Sequence, residues 1–179
     1  IWLGLVGSEM CIRDRHNQTV DRLAYCCINI SGQSLTHPSL LDFIVETLQS
    51  NPLPPSKLCF EVNEDAITEH PAEAQAFFES LKSVGSRLSI DRFIGRNMSD
   101  LELMRRLPVD LVKLDAQQFR QLPGDPLEMA VAESVMRVAH TLRKEVVVAN
   151  IDDPALLEAW KRLGADYLQG YVCLLYTSP

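Results

Sequence analysis

The chain has 179 residues, 46% hydrophobic and 23% charged, the balance of one soluble globular domain with a sizeable core rather than of a disordered segment. A formal net charge of −7 and a pI near 5.1 argue against a nucleic-acid partner and against an anionic membrane surface, since both draw most of their affinity from basic patches. No apolar stretch approaches the roughly 18 to 20 residues that cross a bilayer, so no membrane contact is expected within the chain, and a locally positive pocket for a small anion stays open.

In chain order, the opening Ile1–Arg15 (IWLGLVGSEMCIRDR) resembles translated sequencing-adapter read-through, as does the closing Cys173–Pro179 (CLLYTSP). Both are expected to be non-native. A signal peptide would need a basic start, a longer apolar run and small residues where Arg13-Asp14-Arg15 stand. Between these ends, strand-like runs are predicted at Leu23–Ile30, Leu58–Val62, Arg87–Asp91, Asp110–Asp115, Glu145–Ala149 and Ala165–Leu168. Helical periodicity occupies Ser39–Gln49, Ala72–Val84, Ser99–Arg106, Leu127–Arg143 and Pro154–Leu163. Pro38, Pro71, Pro126 and Pro154 suit first-turn positions, Asp125 and Asp153 suit N-caps, and Gly85 and Gly164 suit helix ends. The five cysteines (Cys11, Cys26, Cys27, Cys59, Cys173) are odd in number and lack CxxC spacing, so they indicate neither a disulfide framework nor a zinc site. A reducing cytoplasm follows as the expected location, with Cys26, Cys27 and Cys59 as packing residues.

Strands alternating with helices call for a parallel sheet with right-handed crossovers. Polar residues stand at the strand ends: Asn29, Glu61 and Glu64, Asp91, Lys113 and Asp115, Asn150, and Gln169. In a closed barrel these would converge in one mouth. An open doubly wound sheet is the competing architecture, but it would carry a Gly-rich phosphate loop after the first strand, and none is present.

Five segments, in order, resemble the motifs of the EAL domain family, the cyclic di-GMP phosphodiesterases. They are Asn29-Ile30-Ser31, Phe60-Glu61-Val62-Asn63-Glu64, Ser89-Ile90-Asp91-Arg92-Phe93, Leu107-Pro108-Val109-Asp110-Leu111-Val112-Lys113-Leu114-Asp115, and Leu163-Gly164-Ala165-Asp166-Tyr167-Leu168-Gln169-Gly170-Tyr171. The resemblance covers nearly all of residues 16–172. It implies an α/β fold, a TIM-type barrel of which about six of eight strands are present, with the N-terminal part missing. It implies Mg²⁺ or Mn²⁺ held by Asn29, Glu61 and Asp91, with Glu64 supporting the site, Lys113 orienting the nucleophilic water or phosphate, and Gln169 near the nucleotide or the water. Such a two-metal site polarises a phosphodiester and acidifies the attacking water. A dimer, an upstream sensory or cyclase-like domain and a membrane anchor in a longer parent are family expectations. Beside these roles stand plainer ones: Glu61 or Asp91 as a loop-capping carboxylate, Lys113 and Asp115 as a structural ion pair, and Gln169 in a loop whose Gly170 permits an unusual turn.

The departures from the family pattern carry their own implication. The EAL tripeptide is absent from the chain, and Arg92 stands where the family has a second Asp expected against both metals. At an effective dielectric near 20 and about 4 Å, each monovalent pair is worth roughly 4 kcal/mol, so exchanging −1 for +1 beside a dication removes about 16 before relaxation. A quarter of that is about a thousandfold in affinity. Ile94-Gly95-Arg96-Asn97 reads as an insertion into the family's Gly-Thr-Gly loop, and Asn150 replaces a Glu, leaving an amide that cannot act as a base. The metals are therefore expected not to bind. The expected function is a catalytically inactive domain that senses cyclic di-GMP, with Arg92, Arg96, Asp115 and Gln169 at the ligand, or that engages a protein partner. The alternatives are an active phosphodiesterase in the parent and a purely structural barrel.

Overall fold

The computed structural model describes residues 25–95 and 97–172. It contains a six-stranded sheet in which the strands follow chain order, with helices in the connections. Contacts divide the chain into two compact units after Ser89. The predicted strand start at Leu23, both adapter-like segments and Arg96 lie outside the described residues.

In the first unit, β1 (Cys26–Ile30) and β2 (Leu58–Asn63) pair in parallel, setting Cys27 beside Cys59 and Asn29 beside Glu61. The crossover holds α1 (Gly32–Leu35), α2 (Leu40–Ser50) and a 3-10 turn at Pro55–Lys57. After β2 come α3 (Glu64–Glu69) and α4 (Pro71–Ser83). α4 starts on Pro71 at a position that needs no amide donor. Its apolar residues recur at Ala74, Phe77, Phe78 and Leu81, a helical face that is buried completely or nearly so. Phe77 meets Phe60 of β2 edge-on with ring centroids 6.3 Å apart. Each such side chain contributes about 1.5–3 kcal/mol by leaving water, so Phe78→Ala should remove about 3–5 kcal/mol. The helix ends where Gly85 adopts φ +89° and the Ser86 N–H donates to the Leu81 carbonyl, a turn that an L side chain resists. β3 (Arg87–Asp91) follows, and the boundary between the units falls within it.

The second unit contains β4 (Leu111–Asp115), β5 (Glu145–Ala149) and β6 (Tyr167–Leu168), paired in parallel, with Lys113 beside Val147 and Asp115 beside Ala149. Three helices, α5 (Met98–Arg106), α6 (Pro126–Thr141) and α7 (Pro154–Leu163), are capped by Asn97, Asp125 and Asp153, whose side chains accept from Asp100, Leu127 and Ala155 amides. Asn97-Met98-Ser99 is thus a helix start. Trp160 of α7 is fully buried and meets Phe119 edge-on at 5.2 Å.

The six predicted strands and five predicted helices are all present, with helix ends moved by no more than two residues. Two short helices, α1 and α3, were not anticipated, because four and six residues are too few to show a periodicity. β6 begins later than predicted because Asp166 leaves the strand and uses its side chain on the Val146 amide. The described residues form an α/β arrangement of six strands in chain order alternating with helices, the strand order that a TIM-type barrel uses.

Candidate functional site

The strand-end residues are divided between the two units. In the first, period-2 alternation and the β1–β2 register put Cys27, Asn29, Cys59 and Glu61 on one face. Asn29 is exposed at the strand end, whereas Glu61 is 3% exposed. The Cys27 and Cys59 sulfurs and a Glu61 carboxylate oxygen all lie within 4.8 Å of one another. The Cys27 thiol is pushed well above the usual thiol range, first by its hydrogen bond with Cys59, then by burial and by the Glu61 charge. Glu64 is buried at the start of α3, where Asn63 caps the helix through the Asp65 amide.

In the second unit, Asp91 ends β3 between two cations. Lys113 Nζ lies 3.9 Å from Asp91 Oδ1, and Arg92 Nε lies 3.9 Å from Oδ2. The Phe93 N–H donates to the Lys113 carbonyl at 2.9 Å and fixes this arrangement. Arg92 stands at φ +54° with its side chain 68% exposed. Lys113 and Asp115 differ in their roles: Lys113 faces Asp91, while Asp115 Oδ1 accepts from the Gln117 amide and starts the 3-10 turn Ala116–Phe119. Gln117 in turn donates from Nε2 to the Asn150 carbonyl at 2.9 Å, and Asn150 itself holds φ +60°.

Gln169 is half-buried and its backbone is tied on both sides: its N–H donates to the Val148 carbonyl at 2.8 Å and its carbonyl accepts from Ile151 at 3.1 Å. Gly170 is needed for closeness rather than for a left-handed turn. A Cβ there would fall onto the Ile151 backbone. Asp166, quoted in the final motif without a role, anchors this region: Oδ2 accepts from the Val146 amide at 2.7 Å and pairs with His140 Nε2 at 3.0 Å. Its sequence signal was its place just after Gly164, although the predicted strand Ala165–Leu168 enclosed it. The Cys27–Cys59 pairing left no such signal, because its members come from different strands. Among the described residues no helix is long and apolar enough to cross a membrane.

Comparison with known proteins gives the chain's relatives. The chain is 28% identical over 145 residues to the cyclic di-GMP phosphodiesterase PdeA of Borreliella burgdorferi, covering 81% of this chain and 22% of that protein. It is 29% identical over 161 residues to the cyclic di-GMP phosphodiesterase NbdA of Pseudomonas aeruginosa, covering 90% and 20%. The chain therefore spans about a fifth of these curated relatives. Among solved structures, the PaMucR phosphodiesterase in complex with c-di-GMP superposes with a TM-score of 0.72 at 29% identity, over 82% of this chain and 59% of that one. The family's phosphodiesterases are metal-dependent. A family model described as EAL domain matches residues 10–175, and with nearly the whole sequence inside that match, the chain belongs to the EAL domain family of cyclic di-GMP signalling.

Proposed function

We propose that this EAL domain is a catalytically inactive cytoplasmic module that senses cyclic di-GMP or engages a protein partner. The observation that carries the reading is the environment of Asp91, whose two carboxylate oxygens each face a cation at 3.9 Å. With Lys113 already expected beside the family's metals, Arg92 is the added cation, and a carboxylate that faces it fits a dication less well. Asn29, Glu61 and Asp91 then keep the family's metal positions without taking up Mg²⁺ or Mn²⁺, and Lys113 and Glu64 keep its catalytic positions without turnover. Arginine forks bind phosphate directly and bidentately, so Arg92 and Arg96, with Gln169 and Asp115, are assigned to the nucleotide. The c-di-GMP complex of the similar MucR phosphodiesterase supports the choice of ligand.

Calorimetric titration of cyclic di-GMP in Mg²⁺ and again in EDTA, followed by chromatography, tests this. Binding near the micromolar range, about −8 kcal/mol, should survive EDTA with intact nucleotide recovered. Metal-dependent conversion to the linear dinucleotide would refute the reading. In the Arg92→Ala/Arg96→Ala double variant, binding should weaken at least tenfold; unchanged affinity would remove both arginines from the site.

A further inference from the structure

We infer that Cys27, Cys59 and Glu61 form a site for one thiophilic divalent cation, of which Zn²⁺ is the type, on the sheet face that carries Asn29. The inference goes beyond the nucleotide reading and does not depend on it. It rests on three donors brought together from two strands: the parallel register sets Cys27 directly beside Cys59, and Glu61 follows Cys59 by two residues on the same face. Their two sulfurs and one carboxylate oxygen lie within 4.8 Å of one another. Tetrahedral zinc, with bonds of about 2.3 Å to sulfur and about 2.1 Å to oxygen, holds such donors roughly 3.5–3.8 Å apart, so closure by about 1 Å of side-chain motion suffices.

Burial makes the cluster more than a chance approach of polar groups. Cys59 is 0% and Glu61 3% exposed, so strand packing fixes two of the three ligands. Cys27 is half-buried, and the exposed Asn29 lies two residues further along β1, leaving a route to solvent. Three protein ligands and one position open to water is the pattern of an accessible zinc site rather than a closed structural one. The donor set also selects. Mg²⁺ and Mn²⁺ prefer oxygen ligands, whereas two sulfurs favour Zn²⁺ or Co²⁺. On binding, each thiol passes its proton to solvent as its sulfur takes the metal; no electron is exchanged.

The test is Co²⁺ titration of the full chain carrying Cys11→Ser and Cys173→Ser, with a phosphine reductant, followed by absorption spectroscopy. One equivalent should produce thiolate-to-cobalt charge-transfer absorption and the intense visible bands of tetrahedral cobalt. One equivalent of Zn²⁺ should abolish both, and excess Mg²⁺ should not. Cys27→Ser and Cys59→Ala should each halve the charge-transfer intensity, by about one thiolate of two, and weaken Co²⁺ at least tenfold. Glu61→Gln should weaken Co²⁺ with the charge-transfer band kept. Cys26→Ser, on the alternate face of β1, should change nothing. Circular dichroism identifies any variant that fails to fold, and half-buried Cys27→Ser decides the matter if the Cys59 variant does. Absence of the charge-transfer band in the parent, or its persistence at full strength in Cys27→Ser, would overturn the site. Cyclic di-GMP titration in EDTA reads the nucleotide hypothesis separately, so failure of either is seen without the other.

Discussion

Among the described residues, three other than glycine occupy the left-handed backbone region: Arg92 at φ +54°, Arg143 at φ +56° and Asn150 at φ +60°. Two of them, Arg92 and Asn150, are among the positions where the sequence is expected to differ from the family pattern. An L side chain in this region costs roughly 1–2 kcal/mol, and asparagine tolerates it better than most. Asn150 is therefore suited to its backbone as well as unable to serve as a base. Asn150→Glu should destabilise the fold by about 1 kcal/mol in urea unfolding, while Asn150→Gly should be near neutral. Arg143 is exposed just beyond α6, after the Leu142 cap, at a place where helices commonly use glycine. Arg143→Gly should stabilise by about 0.5–1 kcal/mol, strain relief exceeding the greater freedom of glycine in the unfolded chain; an unchanged urea midpoint would count against strain there.

At the level of elements, the helices start where their caps and prolines demand. Asp153 accepts from the Ala155 amide at 2.7 Å with Pro154 behind it, so Asp153→Ala should cost about 1 kcal/mol. The segment after β6 is positioned differently, by close backbone approach. Ile151 donates to the Gln169 carbonyl and accepts from Val172 at 3.3 Å, and Gly170 lies between with no room for a Cβ. Gly170→Ala should cost about 3 kcal/mol, at the upper end of overpacking penalties because backbone rather than a flexible side chain must yield. It should also weaken cyclic di-GMP binding if Gln169 touches the nucleotide. Gly95 is constrained in a similar way, with φ +67° and a Cβ that would meet Val135 Cγ2 at 2.6 Å. The loop after Asp91 is thereby seated against α6.

For the molecule as a whole, a ligand that binds only the folded state raises stability by mass action. Cyclic di-GMP at about 100 times its dissociation constant should add about 2.7 kcal/mol. A rise in melting temperature in EDTA is the expected outcome for a metal-independent receptor; a rise seen only with Mg²⁺ would favour the phosphodiesterase.

The alternation of strands and helices, their caps and the motif order were legible from residues alone, because periodicity, proline positions and capping are local and each element carries its own signal. The strand-end positions were legible for the same reason: motif spacing keeps them in order. What those residues contact was decided only by tertiary structure. Lys113 reads in sequence as a neighbour of Asp115, two residues away on one strand face, yet it faces Asp91 from the adjacent segment, and Asp115 instead caps the following 3-10 turn through the Gln117 amide. Gly170 reads as a turn glycine, but its requirement comes from Ile151, 19 residues earlier in the chain. Cys27 and Cys59 lack any metal-binding spacing, and only the register of two parallel strands makes them neighbours. Local propensity is written along the chain, whereas register and close approach arise from packing between segments far apart in sequence.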